Sequence, residues 1–158
     1  MEKLLARARI FPLCKALRLD MEIRSYNESD AMDIADLFHG SVHAIENELY
    51  TRAEKEAWAP TPPDYEVWKA RLKVKQPFVG VKEGVIVGFI ELDSDGHIDC
   101  LYVHKNYQGL GIGSHLLEHL IHVGRDNGLS SFYTEASKSA EPILKSMGSS
   151  VKVRMKSI

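Results

Sequence analysis

The sequence predicts an α+β domain, a mixed and mostly antiparallel sheet flanked by helices. Three observations carry that expectation. Glu83-Gly84 separates two apolar runs, residues 77–82 and 85–92, in the manner of a β-hairpin. Apolar residues recur at helical spacing in residues 30–45 and again in 114–124. Between hairpin and second helix, the strand-like run 97–103 feeds a turn, Tyr107-Gln108-Gly109-Leu110-Gly111-Ile112-Gly113-Ser114, with three glycines in five residues.

Taken in order, residues 21–26 (Met-Glu-Ile-Arg-Ser-Tyr) alternate as a half-buried strand does. Asp30 is expected to N-cap a helix reaching about residue 45, because Ile34, Ala35, Phe38, Val42 and Ile45 fall on one face. Residues 51–58 suggest a second, short helix, stopped by Ala59-Pro60-Thr61-Pro62-Pro63. Residues 64–73, with Tyr65, Val67, Trp68 and Leu72, suggest a third. After the hairpin, Asp93-Ser94-Asp95-Gly96 is turn chemistry leading into the strand from His97. The helix beyond the glycines buries Leu116, Leu117, Leu120 and Ile121 and stops near Asn127-Gly128. A strand at 130–135, a short helix at 140–147 and room for one strand in 149–158 complete the order β-α-α-α-β-β-β-α-β-α-β.

At 158 residues the chain is expected to form one domain over residues 21–158, preceded by an extension at 1–20. The extension carries Lys3, Arg7, Arg9, Lys15 and Arg18 against Glu2 and is broken by Pro12. It lacks the apolar core of a signal peptide, and its lack of serine favours an upstream extension over an organellar leader. A formal net charge of -2 argues against binding nucleic acid through bulk electrostatics. No apolar run approaches the roughly 20 residues of a membrane span. Cys14 and Cys100 make no disulfide framework, so a reducing cytoplasm is the expected compartment.

The glycine turn is the most informative stretch. Little side-chain bulk stands there, so backbone N–H groups and the positive end of the following helix are free to enclose an anion such as a pyrophosphate. A dinucleotide fingerprint requires Gly-x-Gly-x-x-Gly, which Gly109-Leu110-Gly111-Ile112-Gly113 does not fit. A P-loop requires a lysine before its serine or threonine, and Gly113 stands before Ser114.

Gln108-x-x-Gly111-x-Gly113, following Leu101-Tyr102-Val103 and opening a helix, resembles the acetyl-CoA signature of the GNAT superfamily of N-acetyltransferases. The similarity extends over most of residues 21–148, through the 98–103 strand, Glu135-Ala136-Ser137 and Ala140. Glu54 and Ala57-Trp58-Ala59-Pro60 further resemble a bacterial subgroup of small, mostly uncharacterised acetyltransferases. The resemblance implies that Gln108, Gly109, Leu110, Gly111, Ile112, Gly113 and Ser114 hold the CoA pyrophosphate. It implies that Leu101 and Val103 offer backbone groups to the pantetheine arm, with Ser137 touching the arm from the other side. It also implies that the 97–103 strand splays from the next one, leaving backbone groups for that arm to satisfy.

Direct acetyl transfer to an amine needs a base, an oxyanion donor and a proton for the departing thiolate. A backbone N–H near Val103 is the simplest oxyanion donor. Glu91 is the expected base, with His97 and Asp99, on one face of the next strand, as second choices. The acid position that many relatives fill with tyrosine holds Leu144 here, and Ser149 replaces the usual phenylalanine, so Tyr102 is the expected acid and Tyr133 its alternative. These departures also define the competing function, a CoA- or acyl-CoA-binding protein of the same fold with little activity. The family closes its sheet with two antiparallel strands where 149–158 supplies one, so a homodimer is expected to cover the edge.

The acceptor, a small-molecule or peptide amine, would face a wall running from His43 through Trp58, Tyr65 and Trp68, with Trp58 its principal contact. No metal is expected. His115, His119 and His122 share one helix face opposite the leucine stripe and read as solvated, and Cys100 reads as a small buried residue.

Overall fold

The computed structural model describes residues 20–136 and 151–155. The expected extension up to residue 19, the helix at 140–147, Ser137, Leu144 and Ser149 lie outside the described residues. The described strands are β1 (Glu22–Ser25), β2 (Phe78–Lys82), β3 (Val85–Leu92), β4 (His97–Val103), β5 (Phe132–Ala136) and β6 (Val151–Met155). The helices are α1 (Ala31–His43), α2 (Arg52–Trp58), α3 (Tyr65–Lys75) and α4 (Ile112–Asp126). Together they make an α+β fold on one mixed sheet of order β1-β2-β3-β4-β5-β6. The pairs β1–β2, β2–β3 and β3–β4 are antiparallel, and β4–β5 and β5–β6 are parallel. No helix among the described residues is long and apolar enough to cross a membrane.

Local chemistry sets several boundaries. Glu83 and Gly84 both take positive φ, 51° and 78°, the twist a two-residue hairpin turn requires. Thr51 caps α2 in a reciprocal box with Glu54, and Asp64 caps α3 by accepting from the Val67 N–H. Asp30 departs from expectation. Its side chain does not cap α1, because Arg24 takes both of its oxygens and the Asn27 N–H takes one as well. Asn27 instead caps a short 3-10 turn, Glu28–Asp30, that leads into the helix.

The sheet separates two cores. On one face α4 lays Leu116, Leu117, Leu120 and Ile121 against Val87, Ile90, Ile98 and Phe132. At Gly88 a Cβ would stand 2.8 Å from Leu116 and 3.2 Å from Ile112, so a bare backbone lets α4 approach the sheet. On the other face Ile34, Leu37 and Leu72, from α1 and α3, pack on Val79, Ile86 and Phe89. Each fully buried leucine or isoleucine contributes about 1.5–3 kcal/mol relative to exposure.

Two irregularities position the site. Ile90 pairs with Leu101 and Leu92 with Ile98, so the single residue Glu91 faces two on β4, Asp99 and Cys100. This is a β-bulge, which bends and twists a strand locally. Strict alternation would put Asp99 on the same face as His97 and Leu101. The bulge instead turns Asp99 and Cys100 together toward α3, where both meet Arg71. The second irregularity lies between β4 and β5, which pair only through His97↔Tyr133 and Ile98↔Thr134. Beyond Ile98 the two strands separate, as the resemblance implies.

Candidate active site

The separation of β4 from β5 opens one cavity of about 980 Å³. Its walls are the C-terminal half of α1, the α2–α3 connection, one side of α3, β4 from Ile98 to Val103, and the glycine turn. Thr134 and Glu135 stand on the β5 side. Of the residues the sequence singles out for a cofactor, Leu101, Val103, Gln108, Gly109, Gly111, Ile112, Gly113 and Ser114 all line it. Leu110 does not, and its side chain is 56% exposed.

The turn has the geometry its composition foreshadows. Gly109 and Gly111 sit at φ of +77° and +86°, and a Cβ at either would meet nothing within 4 Å. Conformation therefore requires glycine there, while the space above the turn stays open to a ligand. Gly111 is the N-cap of α4, so the first N–H groups of that helix have no partner within it. The Val103 carbonyl at the end of β4 is already engaged, by the Ser41 hydroxyl at 2.8 Å and the Gln108 amide at 3.4 Å.

The opposite end of the cavity is aromatic. Tyr102 lies against Phe38 (4.8 Å), Phe89 (5.8 Å) and Trp58 (6.4 Å). Burial pushes its phenol well above the ordinary range, with the Cys100 thiol adding to the shift, so the hydroxyl remains a proton donor at any physiological pH. Trp58 and Trp68 line the cavity, as the expected acceptor wall requires, whereas His43 and Tyr65 do not. Tyr65 turns outward to donate to Asp36 at 2.7 Å, and His43 bonds the Ala59 carbonyl at 2.8 Å.

Below the aromatics lies a charged cluster. Arg71 donates to both oxygens of Glu91, to Asp99 at 3.0 Å and to the Cys100 sulfur at 3.3 Å. Lys75 bridges Asp99 at 2.8 Å and Asp93 at 2.6 Å. Burial tends to raise the Asp99 carboxyl, but the Lys75 hydrogen bond and the two cations outweigh it and hold it below the usual range. Burial likewise pushes the Cys100 thiol far up. Glu91, Asp99 and Cys100 carry ligand-type atoms within 4.8 Å of one another, and those atoms converge on the Arg71 guanidinium.

The expected base and its alternatives occupy different settings. Glu91 is fully buried, is absent from the cavity wall and gives both oxygens to Arg71. Asp99 lines the cavity, while His97 stays at the strand end with Asp93 and stacks on Tyr133. On the face of α4, His119 rests on Phe78 and His122 pairs with Asp126. Arg71 and His39 line the cavity without having stood out in the sequence, and Phe38, also in its wall, stood out there only as an apolar position of the first helix.

The family model described as Acetyltransferase (GNAT) family matches residues 41–148. An uncharacterized N-acetyltransferase of Escherichia coli (strain K12), YafP, is 29% identical over 129 residues, which is 82% of this chain and 81% of that protein. A GCN5-related N-acetyltransferase structure from Rhodopseudomonas palustris is 31% identical with a TM-score of 0.75, covering 80% of this chain and 79% of that one. The PaiA N-acetyltransferase of Thermoplasma acidophilum, solved in complex with coenzyme A, shares the fold at a TM-score of 0.70 and 17% identity, covering 81% of this chain and 88% of that one.

Proposed function

Since the chain belongs to the GNAT acetyltransferase family, we propose that it moves an acetyl group from acetyl-CoA directly onto a primary amine. The observation that carries this reading is the continuity of one cavity. It runs from the open glycine turn, past the unpaired side of β4, to an aromatic pocket. An anion fits the first part, where Gly109 and Gly111 leave room and α4 presents its N-terminus. An extended amide-bearing arm fits the second, where Leu101 and the Val103 N–H have no strand on the β5 side, the Val103 carbonyl being engaged by Ser41 and Gln108. Gln108, Leu110, Ile112, Gly113 and Ser114 complete the cofactor side on this reading.

The amine enters on the other side, against Trp58. Tyr102, whose side chain lines the pocket beside Trp58, supplies the proton for the departing thiolate. Glu91 lies behind the wall, so its part is to hold Arg71, and through Arg71 to fix Asp99 and the bulge of β4. It is a positioning residue on this account rather than the base.

The test measures CoA binding and turnover separately. CoA should raise the melting temperature, and free thiol should be released from acetyl-CoA in the presence of at least one amine of a broad panel. Stabilisation by CoA with no amine-dependent thiol release would leave a CoA-binding protein and overturn the transfer.

A further inference from the structure

We propose that the imidazole of His39 is the general base of the reaction, held in one tautomer by a relay through Thr61 to Glu56. The proposal rests on the transfer reading above. The carboxylates that line the cavity are committed or open to solvent. Asp99 is tied to Arg71 and Lys75, and Asp64 spends an oxygen capping α3. Glu46 and Glu135 are exposed carboxylates in contact with solvent. His39 lines the same cavity, is half-buried and, among the described residues, has no carboxylate paired directly with it.

The hydrogen bonds around it fix its proton. Glu56 can only accept, and it takes both the Thr61 N–H (3.0 Å) and the Thr61 hydroxyl (2.9 Å). The single hydroxyl hydrogen of Thr61 is thereby committed. Its oxygen, 2.8 Å from Nε2 of His39, must accept from that ring. Nε2 therefore carries the hydrogen and Nδ1 the lone pair. Were a proton to arrive at Nδ1, the cation would find an aligned path through Thr61 to the Glu56 carboxylate, the arrangement that orients a catalytic imidazole.

Burial, more than the surrounding charges, keeps the ring neutral until then. His43 stacks on it at 4.3 Å, with its own Nε2 donating to the Ala59 carbonyl. Burial chiefly, and the charge of His43 next, lower the His39 proton affinity, with Lys105 from the turn after β4 adding to them. Glu56 on α2 and Asp36 on α1 pull the other way without cancelling the drop. A neutral imidazole near pH 7 is the form a base requires.

In the step itself the acceptor nitrogen forms its bond to the acetyl carbon and gives a proton to Nδ1. The carbon–sulfur bond breaks with its electron pair on sulfur, which takes the Tyr102 hydroxyl proton. The imidazolium proton returns to the tyrosinate through solvent, and no other reactant is consumed.

The experiment measures kcat/KM against pH for the wild type, His39→Gln and Glu56→Gln, with the CoA-induced melting shift as a check on folding. In parallel, nitrogen–proton correlation NMR reads the His39 tautomer in the wild type. The expected wild-type profile falls on the acid side with a midpoint below about 6.5. His39→Gln should lose about 100-fold or more and with it the acid limb, keeping its CoA shift. Glu56→Gln should lose about tenfold and move the limb to lower pH, because the imidazolium loses its carboxylate. A wild type that turns over beside a His39→Gln variant with unchanged rate and limb would overturn the base assignment alone. A hydrogen on Nδ1 rather than Nε2 would overturn the relay. A wild type whose thiol release no amine raises would overturn the transfer reading and this proposal together.

Discussion

Arg71 clamps Glu91, its Nε 3.2 Å from one carboxylate oxygen and a terminal nitrogen 2.5 Å from the other. The two partners differ in what remains when the other is removed. Glu91 is 0% exposed, whereas the Arg71 side chain is 34% exposed and keeps Asp99. Arg71→Ala should therefore strand a buried charge at a cost of about 3–5 kcal/mol. Glu91→Gln, which keeps a hydrogen-bond acceptor and leaves Arg71 with Asp99, should cost clearly less. Urea unfolding of both variants at pH 7 decides the order, and equal losses would contradict the asymmetry.

Asp30 carries a pH signature. The Arg24 hydrogen bonds, helped by the Asn27 N–H, hold its carboxyl below the ordinary aspartate range despite its burial. A carboxyl depressed in the folded state contributes stability above its unfolded pKa and loses it as pH falls through the folded one. Asp30→Asn should thus cost about 1 kcal/mol at pH 7, Arg24 being partly exposed. The difference from wild type should shrink as pH drops below about 4, which unfolding midpoints across pH 3–7 would show.

These two ion pairs also show where the sequence is legible. The hairpin at Glu83-Gly84, the short helices beginning near residues 51 and 64, and the glycine turn are local, and each was readable from a few neighbouring residues. At Asp30 the same local rule predicts a cap, but a competitor six residues away, Arg24, takes the carboxylate. The β4 bulge is less legible still, because apolar alternation looks regular across residues that pair two against one. Arg71 lies 20 residues from Glu91 and 28 from Asp99. Only packing α3 on the sheet brings them together, so nothing in the spacing announces the cluster. The relay from His39 crosses 22 residues to Thr61 for the same reason.

At Gly111 the expected effect of a methyl group separates backbone strain from crowding. A Cβ there meets nothing within 4 Å, so Gly111→Ala introduces no clash and acts through φ alone, at +86°. Left-handed backbone costs an ordinary residue about 1–2 kcal/mol. Gly111→Ala should lower stability by about that much while still binding CoA measurably. Gly111→Glu, placing a negative charge at the N-terminus of α4, should abolish the CoA-induced melting shift. An undiminished shift in the glutamate variant would remove the pyrophosphate from this turn.

Tyr102 offers the sharpest division between packing and chemistry. Its ring stacks on Phe89 and meets Phe38 edge-on, and Tyr102→Phe preserves both contacts. Loss of one hydroxyl should change stability by no more than about 1 kcal/mol. If that hydroxyl protonates the thiolate, kcat should nonetheless fall by about 100-fold, with the CoA melting shift unchanged. Because burial holds the phenol protonated far above neutrality, the wild type should show no loss of activity from its ionisation between pH 7 and 9. An alkaline limb in that interval would have to come from another group. A Tyr102→Phe enzyme with full kcat would return the ring to the aromatic core and leave the thiolate proton to water entering past β4.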